Sequence, residues 1–132
     1  MQDVLSWQET HGLDLGGIQL YGVPRVVDHT SRNDLALSIF QLGHGWWGID
    51  IYEKDIADIQ AGIPWDFTLG QDSGKLLGGH AINAWDYTGL QDTDIVRVGT
   101  WGRWQPATWN WISRRLLESH AVIWPQLKAA PL

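Results

Sequence analysis

Apolar residues recur at helical spacing in three segments of the chain, which we predict to be helices. Each segment has a residue suited to a helix start: Asp3 and Ser31 can accept from free backbone N–H groups, and Pro106 suits a first helical position. The predicted helices span residues 3–11, 31–41 and 106–119. An acid-rich stretch at residues 53–60 is predicted to add a short surface helix outside this set.

Runs of β-branched and aromatic residues predict the strands of an antiparallel sheet. These runs lie at residues 46–52, 81–85, 95–98 and 121–124. Residues 18–27, interrupted by Pro24, predict an edge strand or two short extended pieces. A polar stretch at residues 88–94 separates the runs at residues 81–85 and 95–98, which predicts a hairpin with a long loop. Residues 61–77 show no clear period and are predicted to form a long loop.

The order of these elements defines the expected fold class. Helices and strands do not alternate as in a parallel βαβ chain, so we predict an α+β fold with an antiparallel sheet and three helices. A chain of 132 residues suits one domain, predicted to span residues 1–125. The C-terminal residues 126–132 are predicted to be a flexible tail.

Tryptophan dominates the composition, with ten residues against five of phenylalanine and tyrosine combined. So many indoles are hard to bury completely, and some are expected to line a groove or a partner interface. A net charge of −6 with scattered basic residues argues against a nucleic-acid or membrane-binding surface. The absence of a long apolar run or a signal-like N-terminus predicts a soluble protein of the cytoplasm or of a virion.

Candidate chemistry centres on His80, which follows two glycines at the predicted mouth of a strand, facing a turn at residues 100–102. A serine triad is disfavoured because no Gly-x-Ser-x-Gly elbow occurs, and a metal site because the histidines are dispersed. Asp86 lies too far along the strand to orient the imidazole and is expected to cap a loop. Asn83 is expected to be a satisfied buried amide or to face outward. Four acidic residues are interpreted as a solvated face: Asp50, Glu53, Asp55 and Asp58.

Three motifs in this region resemble the second half of a papain-like cysteine peptidase. They are His80-Ala81-Ile82, Asp86-Tyr87 and Gly99-Thr100-Trp101-Gly102. In that family a His at a strand start is the general base, and the Asn of an Asn-Ser-Trp-Gly turn orients it. The chain is also similar to uncharacterised phage-associated papain-like proteins over about residues 3–124. The resemblance implies a truncated papain-like fold with His80 as the general base or its relic.

Two departures from the family pattern change the expected function. The family nucleophile is a Cys on an early helix, and this chain has no cysteine. The orienting Asn falls on Gly99, which has no side chain to hold an imidazole. Because the thiolate is the attacking species in this chemistry, we expect no peptidase activity from the chain alone.

The expected function is therefore that of a catalytically inactive papain-like protein used for binding or assembly, in keeping with a phage structural component. The alternative is a split cysteine peptidase in which another chain supplies the nucleophile to His80. Without the nucleophile-bearing part, the sheet face near His80 would be uncovered, so Trp85, Trp101 and Trp104 are predicted binding residues. We expect a homo-oligomer or a protein partner, and no metal or other cofactor.

Overall fold

A computed structural model describes residues 2–125 of the chain. The predicted tail at residues 126–132 lies outside the described residues. Within them the chain forms four helices and eight strands, and the strands pair antiparallel. The α+β class predicted from the sequence is confirmed, although the numbers of helices and strands exceed the prediction.

The four helices are α1 (Gln2–His11), α2 (Arg32–Leu42), α3 (Glu53–Ala61) and α4 (Trp109–Arg115). The eight strands are β1 (Leu13–Leu15), β2 (Ile18–Leu20), β3 (Val23–Val27), β4 (Gly45–Tyr52), β5 (Leu76–Tyr87), β6 (Ile95–Thr100), β7 (Arg103–Thr108) and β8 (Leu116–Ile123).

Six of these strands form one sheet in the order β3-β8-β4-β5-β6-β7, while β1 and β2 form a separate hairpin. Strands β5, β6 and β7 follow one another as a meander, so the hairpin predicted from the sequence lies within the sheet. The last strand, β8, returns to pair with both β3 and β4. The first and last strands of this sheet along the chain, β3 and β8, are therefore neighbours.

One face of the sheet, the covered face, packs against helices α2, α3 and α4. Strand β4 alternates strictly, with Trp47, Ile49 and Ile51 buried in the core and their neighbours half-buried on the opposite face. Helix α2 begins where Ser31 accepts from the Asp34 N–H, as its sequence predicts. Four tryptophans fill this core almost without exposure: Trp47, Trp65, Trp109 and Trp111.

The helix predicted at residues 106–119 is limited to α4, because the first residues of that range belong to β7 and the last to β8. Pro106 lies in β7, at the edge of the sheet, and is not a first helical residue. Its carbonyl accepts from the Trp65 N–H at 2.9 Å, so its backbone faces the outer edge and the missing N–H breaks no bond to β6. Helix α4 instead begins after Thr108, whose hydroxyl accepts from the Trp111 N–H.

His80 lies inside the long strand β5 and not in a turn at its mouth, as the two preceding glycines had suggested. It pairs with Ile49, and Gly79 pairs with Asp50, so the glycines continue the ladder. Alternation along β5 places His80 on the side of Ile82 and Ala84, at the margin of the core.

Two residues of the predicted solvated acidic face, Asp55 and Asp58, are buried. The Asp55 carboxylate accepts from Trp111 Nε1 at 2.8 Å and from the Tyr52 N–H at 2.9 Å, and it pairs with Arg115 Nε at 3.0 Å. Donors from α4 therefore replace the water that this carboxylate loses on burial. The network joins α3 to α4 beneath the sheet.

None of the helices within residues 2–125 is both long enough and apolar enough to cross a lipid bilayer.

Candidate functional site

The face of the sheet opposite α2, α3 and α4, which we call the open face, has a floor of small residues at its centre. Gly48, Ala81 and Gly99 lie there on neighbouring strands, with Asn83 paired between Trp46 and Gly99. A Cβ atom at position 99 would lie 3.3 Å from Trp85 Nε1 and 3.6 Å from the Trp104 ring. The absence of side chains on this floor therefore lets the indoles settle close to the backbone.

A groove of about 520 Å³ crosses this floor, and we call it the tryptophan groove. The predicted binding residues Trp85, Trp101 and Trp104 all line it, and their exposed fractions are 43%, 52% and 53%. The remaining lining residues are Ala81, Asn83, Gly99, Thr100, Gly102 and Arg103. The structure thus brings together on one surface three tryptophans that are far apart in the sequence.

One wall of the groove is held by a stack of side chains. Trp85 meets Trp104 edge to face, with ring centroids 5.8 Å apart, and the Arg97 guanidinium lies 4.5 Å from the Trp104 ring centre. Asp86 pairs with Arg97 at 2.6 Å, so it supports this wall and does not cap a loop as predicted. The two indoles therefore contact each other and Arg97 although they remain half exposed.

Trp101 forms the end of the groove in an unusual backbone conformation. It occupies the two-residue turn between β6 and β7 with a φ of 44°, and Gly102 follows with a φ of 72°. Positive φ at both central residues defines a type I′ turn, in which Asn, Asp or Gly is the usual first residue. A large aromatic residue is strained there, which is a feature that clusters at functional sites.

Asn83 faces outward, one of its two predicted placements, and its amide has no hydrogen-bond partner among residues 2–125. It is half-buried and lines both the tryptophan groove and an adjoining recess of about 240 Å³. The recess is otherwise lined by His44, Trp46, Trp85 and Trp124. The groove and the recess thus share the Asn83 amide as a lining polar group.

His80 does not line the tryptophan groove but lies next to it, beside a separate recess of about 240 Å³. Its Nε2 atom is 2.7 Å from the Thr100 hydroxyl, and its ring stacks on Trp101 at a centroid distance of 4.0 Å. Partial burial lowers the pKa of His80. Its Nδ1 atom has no hydrogen-bond partner in the part of the chain that the structure describes.

The turn predicted to face His80 does contact it, and the contacting hydroxyl belongs to Thr100, next to the Gly99 that corresponds to the family's Asn. The alternation of side chains along β6 could have identified Thr100. Val96, Val98 and Thr100 all point to the covered face, whereas Gly99 faces the groove. His80 lies on the same face of the sheet as Ile82. Its partner on β6 must therefore also point to that face, as Thr100 does. The imidazole therefore keeps a side-chain partner although the family's Asn is absent.

Among residues 2–125, the side chains that contact the His80 ring include the Thr100 hydroxyl and the Trp101 indole. The chain has no cysteine, and the Thr100 hydroxyl is buried and already bonded to the imidazole. No group of three or more His, Asp or Glu side chains within residues 2–125 is placed to hold a metal ion.

Comparison with models of known protein families finds no match to this chain, and no curated protein matches it either. The papain-like resemblance therefore stays a prediction that rests on the His80 and Thr100–Gly102 motifs. The groove and its tryptophans stand on the geometry alone.

Proposed function

We propose that this protein binds a segment of another protein in the tryptophan groove and has no peptidase activity of its own. The observation that carries the proposal is the placement of Trp85, Trp101 and Trp104, each about half exposed, around one groove on the sheet face opposite α2, α3 and α4. Tryptophan is the residue type most enriched among side chains that dominate protein interfaces. Exposed aromatic patches on such a rigid support are typical of partner sites.

The walls of the groove favour binding because their side chains already contact one another in the absence of a partner. The Trp85 and Trp104 rings already contact each other and Arg97, and Trp101 is stacked on His80. Side chains that are fixed before binding lose less conformational entropy in the complex. Removing half of one indole surface from water contributes on the order of 1–2 kcal/mol.

A segment of another protein fits this site better than a symmetric contact with a second copy. In a twofold contact whose axis passes through the groove, two concave surfaces would face each other and leave space between them. A volume of about 520 Å³ instead suits a short stretch of chain that enters the groove. The resemblance to phage-associated proteins suggests assembly of a phage particle as the setting for this binding.

Selection of displayed peptides against the purified protein tests this proposal. We expect enriched peptides to bind the protein and to bind Trp85→Ala and Trp104→Ala at least about tenfold more weakly. Trp7→Ala is the matched control, because Trp7 is 54% exposed on α1, outside the groove. Peptides that bind all four proteins equally, or a selection that enriches nothing, would refute the proposal.

The runner-up function is the His-bearing subunit of a split cysteine peptidase, favoured by the state of His80. Its Nδ1 atom is unpartnered among the described residues, and its lowered pKa keeps the imidazole neutral near pH 7. A neutral imidazole can take a proton from a thiol that another chain brings to it.

Peptidase assays separate the two functions. We expect the isolated chain to show no turnover of a broad peptide library and no reaction with an active-site thiol probe. Turnover by the isolated chain that disappears in His80→Ala would refute the non-catalytic proposal. Turnover that appears only with a second, cysteine-bearing polypeptide and requires His80 would establish the split enzyme.

A further inference from the structure

The recess that adjoins the tryptophan groove is lined almost entirely by aromatic rings, and we call it the aromatic recess. Its volume is about 240 Å³, and Asn83 is the one lining residue without an aromatic ring among those that the structure describes. The rings come from the start of β4, from β5 and from the residues just after β8. They belong to His44, Trp46, Trp85 and Trp124.

The rings of the aromatic recess lie in different planes. The His44 ring meets Trp46 edge to face, with centroids 6.4 Å apart and planes at 78°. It is tilted by 45° from the Trp85 ring at a centroid distance of 6.4 Å. The end of the Trp124 ring lies against Gly22, where an added Cβ atom would be 3.0 Å from Trp124 Cη2. Rings in several planes around one recess form the walls of a cage, which suits a rounded group better than a flat one.

The rings of the aromatic recess have no cation of their own among residues 2–125. Elsewhere in that range an arginine guanidinium lies 4.1–5.7 Å from the centre of four aromatic rings, which belong to Tyr52, Phe67, Trp104 and Trp109. No lysine or arginine of the described chain lines the recess either. A cation over these rings would therefore be supplied by a ligand.

The charge next to the aromatic recess is negative. Glu118 pairs with Gly48, and its carboxylate lies over that glycine, because a Cβ atom at position 48 would be 2.7 Å from Glu118 Oε1. Gly48 and Trp46 lie on the same face of β4, about 7 Å apart along the strand. Glu118 Oε2 is also 3.1 Å from Nε2 of His120, the residue paired with Trp46. Burial lowers the pKa of His44, so its imidazole adds no positive charge near neutral pH.

We infer that the aromatic recess is a binding site for a trimethylammonium group such as that of choline. Aromatic faces attract an organic cation, and the attraction grows when water leaves the contact. The ammonium of an unmodified lysine is strongly hydrated, and aromatic rings do not replace that water. Methyl groups weaken this hydration and extend the contact with the rings, while the Glu118 carboxylate stabilises the charge. This inference goes beyond the proposed function, because it does not depend on what occupies the tryptophan groove.

Titration of the ¹⁵N-labelled protein with choline, followed through the indole N–H signals, tests the site directly. We expect saturable shifts in the signals of Trp46, Trp85 and Trp124 and none in that of Trp7. The matched probe is the neutral carbon analogue of choline, in which a carbon atom replaces the charged nitrogen. It should bind at least about fivefold more weakly, because the attraction between cation and ring is lost. Equal affinities of the two probes, or no shift with millimolar choline, would overturn the inference.

Variants of Trp46 and Glu118 separate attraction to a cation from simple apolar contact. Trp46→Phe keeps an aromatic face and Trp46→Leu keeps only apolar bulk, so the second should lose more choline affinity, at least about fivefold. Glu118→Gln leaves the rings in place and should weaken binding about two- to fivefold. Trp7→Leu is the control, because Trp7 lies on α1 outside the recess. Equal affinities of the Phe and Leu variants, or an unchanged affinity in Glu118→Gln, would overturn the inference.

The aromatic recess and the tryptophan groove can be tested apart, because Trp124 lines only the first and Trp101 only the second. Choline affinity should fall in Trp124→Leu and stay unchanged in Trp101→Asn, and the reverse pattern would overturn the inference. A short glycine peptide with one trimethyllysine distinguishes the source of the group. If Trp101→Asn weakens binding of this peptide and not of choline, the recess receives the group from a segment that lies in the groove.

The two proposals fail separately. If displayed peptides bind through the groove while choline does not bind, the proposed function stands and this inference is wrong. If choline binds in the aromatic recess while the selection enriches no peptide, this inference stands and the proposed function is wrong.

Discussion

Trp101 combines a strained backbone with a position at the end of the groove. Its φ of 44° is the one positive value for a non-glycine residue within residues 2–125. For a side chain of this kind the left-handed conformation costs about 1–2 kcal/mol. Stacking on His80 at 4.0 Å offsets part of this cost, and the indole also completes the groove.

We predict that Trp101→Asn weakens ligand binding but leaves the free energy of unfolding within about 1 kcal/mol of the unchanged protein. Asn adopts the left-handed conformation readily, so the strain it relieves compensates for the lost stacking. Urea unfolding followed by circular dichroism gives the stability, and titration with a selected peptide gives the affinity. A stability loss of about 3 kcal/mol or more would show that Trp101 serves the fold instead.

Asp55 is the residue on which the buried polar network depends. Its carboxylate is 1% exposed and holds donors from Trp111, Arg115 and the Tyr52 backbone. Removing one member of a buried ion pair leaves the other charge without compensation.

We therefore predict that Asp55→Asn lowers the free energy of unfolding by about 3–5 kcal/mol, because the Arg115 charge stays buried without its partner. Asp50→Asn is a control on the neighbouring strand, since Asp50 is only half-buried and lies outside the network. Denaturant unfolding of both variants checks the result. A loss below about 1 kcal/mol for Asp55→Asn would mean that water or a rearranged side chain replaces the carboxylate.

At the scale of elements, the sequence predicted best where local signals agree with the fold. Helix α2 has its Ser31 cap and ends at Gly43, and β4 has strict alternation, so both were located within about a residue. The end of β7 and the start of β8 were assigned to a helix, because Pro106 and the following tryptophans suit one. Pro106 is compatible with a strand because β7 lies at the edge of the sheet, and this position depends on pairing between residues distant in sequence.

The candidate site was predictable from the sequence only where local composition and motifs indicate it. Surplus tryptophan and the motif around His80 indicated Trp85, Trp101 and Trp104, and the meander places them on one face. The bond from Thr100 to His80 depends on strand parity, and the wall formed by Asp86 and Arg97 depends on an irregular register between β5 and β6. A shift of this kind has no local signature in the sequence.

Thr108 links the edge strand to helix α4. Its hydroxyl accepts from the Trp111 N–H at 3.1 Å and donates to the Asp66 carboxylate at 2.7 Å. We predict that Thr108→Ala lowers the free energy of unfolding by about 1–2 kcal/mol through loss of the helix cap. Thr108→Ser keeps the hydroxyl and should lose less than half as much in the same unfolding experiment. Equal losses in the two variants would assign the effect to the methyl group and its packing.

At the scale of the whole molecule, the sequence led us to expect either a homo-oligomer or a complex with another protein. The two would use the open face of the sheet differently. A groove that receives a partner segment predicts a monomer at low micromolar concentration when the partner is absent. Analytical ultracentrifugation of the protein and of Trp104→Ala checks this. A dimer that Trp104→Ala converts to a monomer would assign the groove to a second copy of the chain.

Calorimetric titration of a selected peptide tests most directly whether the tryptophan groove is the functional surface of this protein. The account predicts saturable binding with a negative heat-capacity change, because indole surface is removed from water. It also predicts that Trp85→Ala and Trp104→Ala weaken binding at least about tenfold while Trp7→Ala, of matched exposure, does not. Equal affinities for the three variants would contradict the central claim, because the peptide would then bind elsewhere on the molecule.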